Sequence, residues 1–428
     1  MTTDLVLVNP NGRLQVPFAA VEPPLWLGLI AGNYVGRGDP DLRILDAEAE
    51  NLTIEQTVKR VEEYNTKDIL LVVMGNNPSV SSTPKWPVAG RLLKRLPTAM
   101  VAGLHPMAMK HPRDWGELKG TPSVPWEMFD LSKYRAHNWH CLDDLDRRSP
   151  YAVLYTSLNC PFSCHYCNIH ALYGGHTVRY RPMEKVKQEL DYFAAKGIRN
   201  IKIWDECFTL NTQRVREICD YIISQGYDFN MWAYGRLDSV DPVMLSRMWR
   251  AGIRWIAYGF ESTGDKKFKQ SDWAVQVTQE SGLSIIANFM FGLPGEKLGD
   301  MQASLDYAMK RNFEWLNLSI ALPYPGSPWW YSLKRKPTKW ERFGQFNPNM
   351  YGSRKAIDFR REAFKQYFSR PEYLKKIGRK FGDGAVEHIK GMLKWQTIER
   401  FYALAGTSSG GNTLTVEQIR AALKILKT

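Results

Sequence analysis

Apolar runs and amphipathic stretches alternate through the first 130 residues. Asp4–Pro10 (DLVLVNP), which ends in Asn-Pro-Asn-Gly, Leu42–Asp46 (LRILD), Asp68–Met74 (DILLVVM) and Thr98–Leu104 (TAMVAGL) are short apolar runs, and they predict strands. Between them, Pro24–Val35, Ile54–Tyr64 and Val88–Leu96 predict helices; the second has apolar residues on one face and Thr53 as its cap. Asp68–Met74 shows no polar alternation, as expected of a strand covered on both faces. Strands alternating with helices predict an open parallel α/β sheet, which takes ligands at the carboxyl ends of its strands. Those ends are small and polar here: Asn9–Gly12, Gly75–Ser79 with Asn76 and Ser79, and Gly103–His105. They read equally as a ligand edge and as ordinary turns.

The alternation resumes at Tyr151–Leu158 (YAVLYTSL) and continues through Ile201–Asn211, Trp232–Arg236, Trp255–Ser262, Ile285–Glu296 and Leu316–Pro328. Helical patterns such as Met183–Lys196, Val215–Gln225 and Val243–Ala251 separate these runs. Repeated strand–helix units predict a parallel sheet curved into a barrel, with functional groups at the carboxyl ends. Ala356–Phe368, Glu372–Lys380 and Val386–Tyr402 predict helices, Ala405–Thr413 a linker, and Thr415 onward a last helix whose capping box ends at Gln418. The expected divisions are 1–130, a linker at 131–149, the barrel at 150–330, and a helical region at 331–428.

Composition narrows the class. With 44% hydrophobic and 12% aromatic residues the chain folds rather than staying disordered. No apolar run approaches a membrane span. No basic segment followed by an apolar stretch opens the chain, so the cytoplasm is the expected compartment. The net charge is +13, and residues 331–428 hold 21 Lys and Arg against 8 Asp and Glu, which accounts for all of it. The first 330 residues are thus neutral, and the basic excess points either to a solvated helical surface or to an anionic ligand. Nucleic acid is the weaker reading, because no nucleic-acid module is recognisable.

Six Cys are too few for a disulfide scaffold, and three of them fall within Asn159–Cys167 (NCPFSCHYC). Cys160-x3-Cys164-x2-Cys167 places three thiolates on one short loop, which reads as a metal site. Zinc would need a fourth ligand, from His165, His170, His176 or a distant Cys. An iron–sulfur cluster is the alternative. Cys207, close behind Asp205 and Glu206, is a further candidate for a site role; Cys219 falls in a helical pattern.

The loop, with Tyr166 before its last Cys, resembles the signature of the radical S-adenosylmethionine (radical SAM) enzymes. The strands after it resemble that superfamily in order, down to the Gly-Leu-Pro-Gly-Glu turn at 292–296 and Pro-Gly-Ser-Pro at 325–328. The resemblance implies a partial (β/α)6 radical SAM barrel. It implies that Cys160, Cys164 and Cys167 hold a [4Fe-4S] cluster, and that S-adenosylmethionine chelates the open iron and yields a 5′-deoxyadenosyl radical. Asp205 and Glu206 would accept from its ammonium group, with only one of these neighbours pointing inward. Arg236 would pair with its carboxylate, and Glu261 with its ribose or with Arg236. Tyr166, Gly292, Leu293 and Pro294 would line its adenine. An external one-electron reductant of flavodoxin or ferredoxin type is implied as partner.

A Rossmann-like α/β domain ahead of such a barrel resembles the cobalamin-dependent subgroup, as do Asp-Glu-x-Phe at 205–208, Gly-Phe-Glu-Ser at 259–262 and Tyr-Pro-Gly-Ser at 324–327. Cobalamin is the third cofactor implied, with Asn9, Gly75, Asn76, Ser79 and Gly103 as its contacts. The expected activity is C-methylation of an unactivated carbon of an anionic small molecule or natural-product intermediate. Two departures stand beside this. No Asp-x-His-x-x-Gly is present, and the chain after Leu104 lacks a further strand–helix unit. The alternatives are a radical enzyme with a vestigial cobalamin domain, catalysing isomerisation, dehydrogenation or cyclisation, and a zinc-stabilised nucleic-acid-binding protein.

Overall fold

The computed structural model describes residues 3–12, 19–35, 41–74, 83–102, 122–173, 175–264, 266–345, 347 and 349–395. The chain is α/β, with two parallel sheets and a helical C-terminal region.

The first sheet comprises β1 (Leu5–Asn9), β2 (Leu42–Asp46), β3 (Asp68–Val72) and β4 (Met100–Ala102), in the order β2-β1-β3-β4, all parallel. Its crossovers run through α1 (Leu25–Val35), α2 (Ile54–Glu63) and α3 (Thr83–Arg95). Thr53 caps α2 and Gln56 closes the capping box. α3 begins ahead of the apolar pattern because its N-terminal part carries Pro87, which disguises a helix start in the sequence. Val6, Val8, Leu45, Val58 and Leu71 form the core of this unit.

The second sheet is the barrel: β5 (Tyr151–Leu154), then β8 (Asn200–Ile203), β9 (Asn230–Gly235), β10 (Ile253–Glu261), β11 (Ser284–Phe291) and β12 (Trp315–Ile320), parallel and side by side in chain order. Among the described residues β5 and β12 share no ladder, so the barrel is partial. Tyr151–Leu158 is not one strand. It breaks after Leu154, because the Asp205 carboxylate takes the Thr156 amide, and resumes as β6 (Ser157–Leu158). β6 pairs antiparallel with β7 (Arg179–Tyr180). Helices α4 (Ile169–Tyr173), α5 (Met183–Ala195), α6 (Thr212–Gln225), α7 (Pro242–Arg250), α8 (Ser271–Glu280) and α9 (Leu298–Arg311) connect the strands.

Residues 131–149 do not behave as a loose connection. They cross the amino ends of the barrel strands with Trp139, His140, Cys141 and Leu142 buried. The imidazole of His140 meets the Asn230 carbonyl at 3.0 Å, and Asn200 donates to the Arg147 carbonyl at 2.6 Å. The floor is completed by α12 (Pro371–Phe381) and α13 (Asp383–Trp395), which follow α10 (Pro328–Ser332) and α11 (Arg354–Phe368). Phe381 stacks on Trp255 at 5.4 Å, and Lys376 and Lys380 meet Glu314 just before β12. The basic face of α12 therefore lies at the floor, away from the carboxyl ends of the strands. The linker and last helix expected from Ala405 onward lie outside the described residues.

Lys202 stands inside the barrel, buried and ion-paired to Glu22 at 2.9 Å. Its ammonium lies 4.7 Å from the ring centre of Trp204 and 5.0 Å from that of Trp232. Burial alone would raise the Glu22 carboxyl; Lys202 and His137 outweigh it and bring it down to about 2. The lower lumen is thus filled, charge-balanced and tied to the segment ahead of α1. Above it Tyr234, Asn288 and Asn317 are half-buried.

Among the described residues no helix is long and apolar enough to cross a membrane.

Candidate active site

The Cys loop leaves the carboxyl end of β6 through Asn159, whose φ of +79° is uncommon for a residue with a side chain. The strain is compensated locally. The Asn159 side-chain oxygen accepts from the Cys160 amide at 2.9 Å, and its nitrogen donates to the carbonyls of Gly175 and Thr177. His170 on α4 spans the loop, with one ring nitrogen 2.9 Å from the Phe162 carbonyl and the other 3.0 Å from that of Gly175. Cys160, Cys164 and Cys167 are free and half-buried. Burial raises the Cys160 thiol and pushes Cys167 up to about 12, and the loop thiols repel one another when ionised. Raised by burial, the Cys160 and Cys167 thiols ionise readily only beside a cationic centre, which fits a metal-binding loop. Among the described residues no three His, Cys, Asp or Glu side chains converge on one point.

The acidic pair after β8 divides its work. Asp205 is buried and accepts from the Thr156 amide at 2.6 Å, the Thr156 hydroxyl at 2.7 Å and the Ser157 hydroxyl at 2.6 Å. Its oxygens are spent on bracing the β5–β6 break. Glu206 lies beneath the Cys loop, accepting from the Asn159 amide at 2.9 Å and Tyr173 at 3.1 Å. Burial, with Asp205 adjacent, pushes the Glu206 carboxyl up to about 7. Burial raises the Asp205 carboxyl too, but Asp205 accepts three hydrogen bonds from Thr156 and Ser157, which leaves Glu206 the more open of the two to an incoming cation.

Arg236, at the end of β9, does not present an empty fork. Its Nε and one terminal nitrogen bond both oxygens of Asp238 at 2.8 and 2.6 Å. Its face lies 3.5 Å from the Phe162 ring centre, so it steadies the Cys loop. A carboxylate ligand could meet only the remaining edge. Glu261 ends β10 at a φ of +63°, next to a shift in register. In the turn at 292–296, Gly292 has a φ of +83° and a Cβ there would come within 3.0 Å of Ala356. The amides of Gly292 and Leu293 both donate to Glu296, at 2.6 and 3.1 Å, so these two donors are not free for adenine. Glu296 is the residue that sequence reasoning quoted without a role; its signal was the acid closing Gly-Leu-Pro-Gly-Glu. Tyr166 is half-buried in the loop between Cys164 and Cys167. Cys207 is buried, and burial pushes its thiol up to about 11.

At the first sheet, Gly75, Asn76, Ser79 and Gly103 lie outside the described residues. Asn9 is described, and its amide is in use. It donates to Asp46 at 2.7 Å and accepts from Lys85 at 3.1 Å. Lys85 also bonds Glu48, and Tyr134 donates to Asp46 at 2.9 Å.

Comparison with known proteins agrees with this layout. Residues 154–308 match the family model of the radical SAM superfamily. An uncharacterized methyltransferase of Pyrococcus horikoshii is 24% identical, over 91% of this chain and 97% of its own length. The bacteriochlorophyllide d C-12(1)-methyltransferase of Chlorobaculum tepidum is 22% identical over 84% of this chain and 87% of its own. The fold resembles that of TsrM from Kitasatospora setae, a radical S-adenosylmethionine methyltransferase solved with cobalamin and a [4Fe-4S] cluster bound. That likeness has a TM-score of 0.56 at 15% identity, over 77% of this chain and 74% of that one.

Proposed function

We propose that this chain, a radical SAM enzyme with methyltransferase relatives, is a cobalamin-dependent C-methyltransferase acting on a small organic molecule. The observation that carries the reading is the full-length alignment: the Pyrococcus horikoshii methyltransferase matches 91% of the chain, the first sheet together with the barrel, rather than the barrel alone. Fold by itself would not fix the reaction.

Cys160, Cys164 and Cys167 would hold the [4Fe-4S] cluster. When bound, that cluster supplies the electron that cleaves S-adenosylmethionine, and cobalamin supplies the methyl group. Glu206 accepts from the methionine ammonium, and Asp205 keeps the β5–β6 break that aims the loop. Arg236 and Asp238 hold Phe162, and with it the loop. Glu296 fixes the turn at 292–296 whose carbonyls line the adenine, with Tyr166 opposite and Glu261 at the ribose. The substrate enters above the filled lower lumen, against the half-buried Tyr234, Asn288 and Asn317. The Asn317 amide donates to Asn288 at 2.9 Å, and that of Asn288 to the Tyr258 carbonyl at 3.0 Å; each keeps a second N–H for a substrate oxygen. Anionic character in the substrate draws no support from α12, whose cations lie at the floor.

The test is mass spectrometry of the products after anaerobic reconstitution, with and without cobalamin. S-adenosylhomocysteine formed beside 5′-deoxyadenosine only with cobalamin supports the reading; 5′-deoxyadenosine alone, with no cobalamin retained, overturns it. That second result is what a vestigial first domain would give. One observation favours it: the described part of the first sheet's carboxyl edge is satisfied by its own side chains.

A further inference from the structure

The floor of the barrel carries a cavity of its own. Tyr373 and Ile377, both buried, pin α12 there, and the Tyr373 hydroxyl donates to the Glu314 carbonyl at 3.1 Å. Beside α12 a cavity of about 600 Å³ is lined by Asn312, Glu372, Lys375, Lys376, Arg379 and Lys380, a size ordinary for a small-molecule site. Lys376 and Lys380 each stand 3.0 Å from the same Glu314 oxygen, so their ammonium groups are at most twice that distance apart. The other Glu314 oxygen accepts from the Ile285 amide at 3.0 Å, and the side chain is 3% exposed, so it stays beneath the cavity. Lys376 also donates to the Asn312 carbonyl, which leaves it one N–H and leaves Lys380 two. Lys375 and Arg379 are exposed and make no hydrogen bond or ion pair among the described residues. Around the cavity four cations stand against the carboxylates of Glu372 and Glu314, a net of +2.

We propose that this cavity binds a soluble oligophosphate, a ligand with two or more linked phosphate groups, at a site separate from the Cys loop. Lys375 and Arg379 lie one helical turn apart, as do Lys376 and Lys380, about 6 Å along the axis. A single phosphate group does not bridge that span, and a chain of two or three does. Arg379 offers a fork to one group, and the lysines act as point charges on the others. The two lysines are already aligned by Glu314, so little side-chain freedom is lost when the anion arrives. A lipid surface fits less well, because α12 exposes no large apolar side chain to insert beside the headgroups. The ligand would sit at the amino ends of the strands, next to Glu314 and the Ile285 amide that begin β12 and β11, so it acts on the barrel from the floor and takes no part in the radical step.

The experiment titrates full-length protein with sodium tripolyphosphate and with orthophosphate by calorimetry, at low salt and without magnesium. Tripolyphosphate is expected to bind one to one, at least tenfold tighter than orthophosphate, and to weaken as salt rises. Lys375→Glu/Arg379→Glu should lose at least tenfold in affinity. Lys334→Glu/Lys336→Glu makes the same charge change outside the cavity and should match wild type. All four substituted side chains are exposed, and matching thermal melts confirm folding. Absence of saturable one-to-one binding, equal losses in both variants, or orthophosphate bound as tightly as tripolyphosphate would each overturn the proposal and leave the cations a solvated surface. A single-stranded oligonucleotide that binds and is not displaced by tripolyphosphate would also overturn it and assign the cations to nucleic acid. Vesicles of phosphatidylcholine with a phosphoinositide, bound where free tripolyphosphate is not, would assign them to a lipid headgroup and overturn the soluble ligand. Binding is read without the cluster or cobalamin, so its failure is distinct from failure of the proposed methyl transfer.

Discussion

At the carboxyl edge of the first sheet, Asn9, Asp46, Glu48, Lys85 and Tyr134 satisfy one another. At the carboxyl end of the barrel, three half-exposed thiols repel one another as thiolates, and Glu206 is a buried carboxyl pushed up to about 7. Both edges are built from the same topology, parallel strands ending in polar turns. What separates them, among the described residues, is whether the polar groups are matched from within. A matched edge needs no ligand to be stable; an unmatched one is stabilised by whatever cation it takes up. The unmatched edge is thus where chemistry is expected, and the difference can be tested by substitution.

The largest effect is expected at the Cys loop. Cys164→Ala should remove the iron–sulfur chromophore and abolish 5′-deoxyadenosine formation, read by iron and sulfide content and by chromatography. Retained chromophore and turnover would remove the loop from the chemistry.

Next is the contrast within the acidic pair. Glu206→Gln keeps an acceptor for the Asn159 amide and the Tyr173 hydroxyl, so the fold should hold while KM for S-adenosylmethionine rises about 10–100-fold, a loss of about 1.4–3 kcal/mol. Asp205→Asn cannot accept all three of its bonds, so it should cost stability, about 2–3 kcal/mol, read as a lower thermal midpoint. Reversal of the two phenotypes would exchange the roles.

Acid should act through Glu22, which joins the segment ahead of α1 to the barrel. Its folded carboxyl is held at about 2, below its ordinary 4.5. A depressed carboxyl contributes stability that is complete above about pH 4.5 and is lost as pH falls toward 2. The unfolding free energy from urea titrations should fall across that window by on the order of 3 kcal/mol. Glu22→Gln should have lost this at neutral pH and should flatten the slope.

Legibility followed the range of the interactions involved. The helix at Ile54 was readable because Thr53 and Gln56 lie within one turn of each other. The Cys loop was readable because its spacing is itself the signal. The break after Leu154 was not, because it depends on Asp205, about fifty residues away in sequence. The burial of Lys202 depends on Glu22, 180 residues distant, and no local pattern announces it. Residues 131–149 looked like a linker because their short turns carry no periodicity; their Trp139 and His140 are buried by contacts with strands that follow them. The +13 was legible as a total, but the placement of Lys376 and Lys380 at the floor required the fold.

The smallest effect, and the sharpest test of the two edges, lies at Lys85. Its side chain is 3% exposed, and it meets Asn9 and the partly exposed Glu48, whose side chain is 24% exposed. Removing the ammonium leaves Asn9 and Glu48 without this donor, yet water can reach Glu48. The cost of Lys85→Met should therefore fall below that of a fully buried pair, at about 1–2 kcal/mol. If the first edge is a brace independent of the barrel, the loss stays local. Amide hydrogen exchange should quicken across 5–12 and 42–50, while iron content after reconstitution matches wild type. Iron content that falls in step would mean that the matched edge supports the unmatched one, and the two sheets would have to be treated as one site.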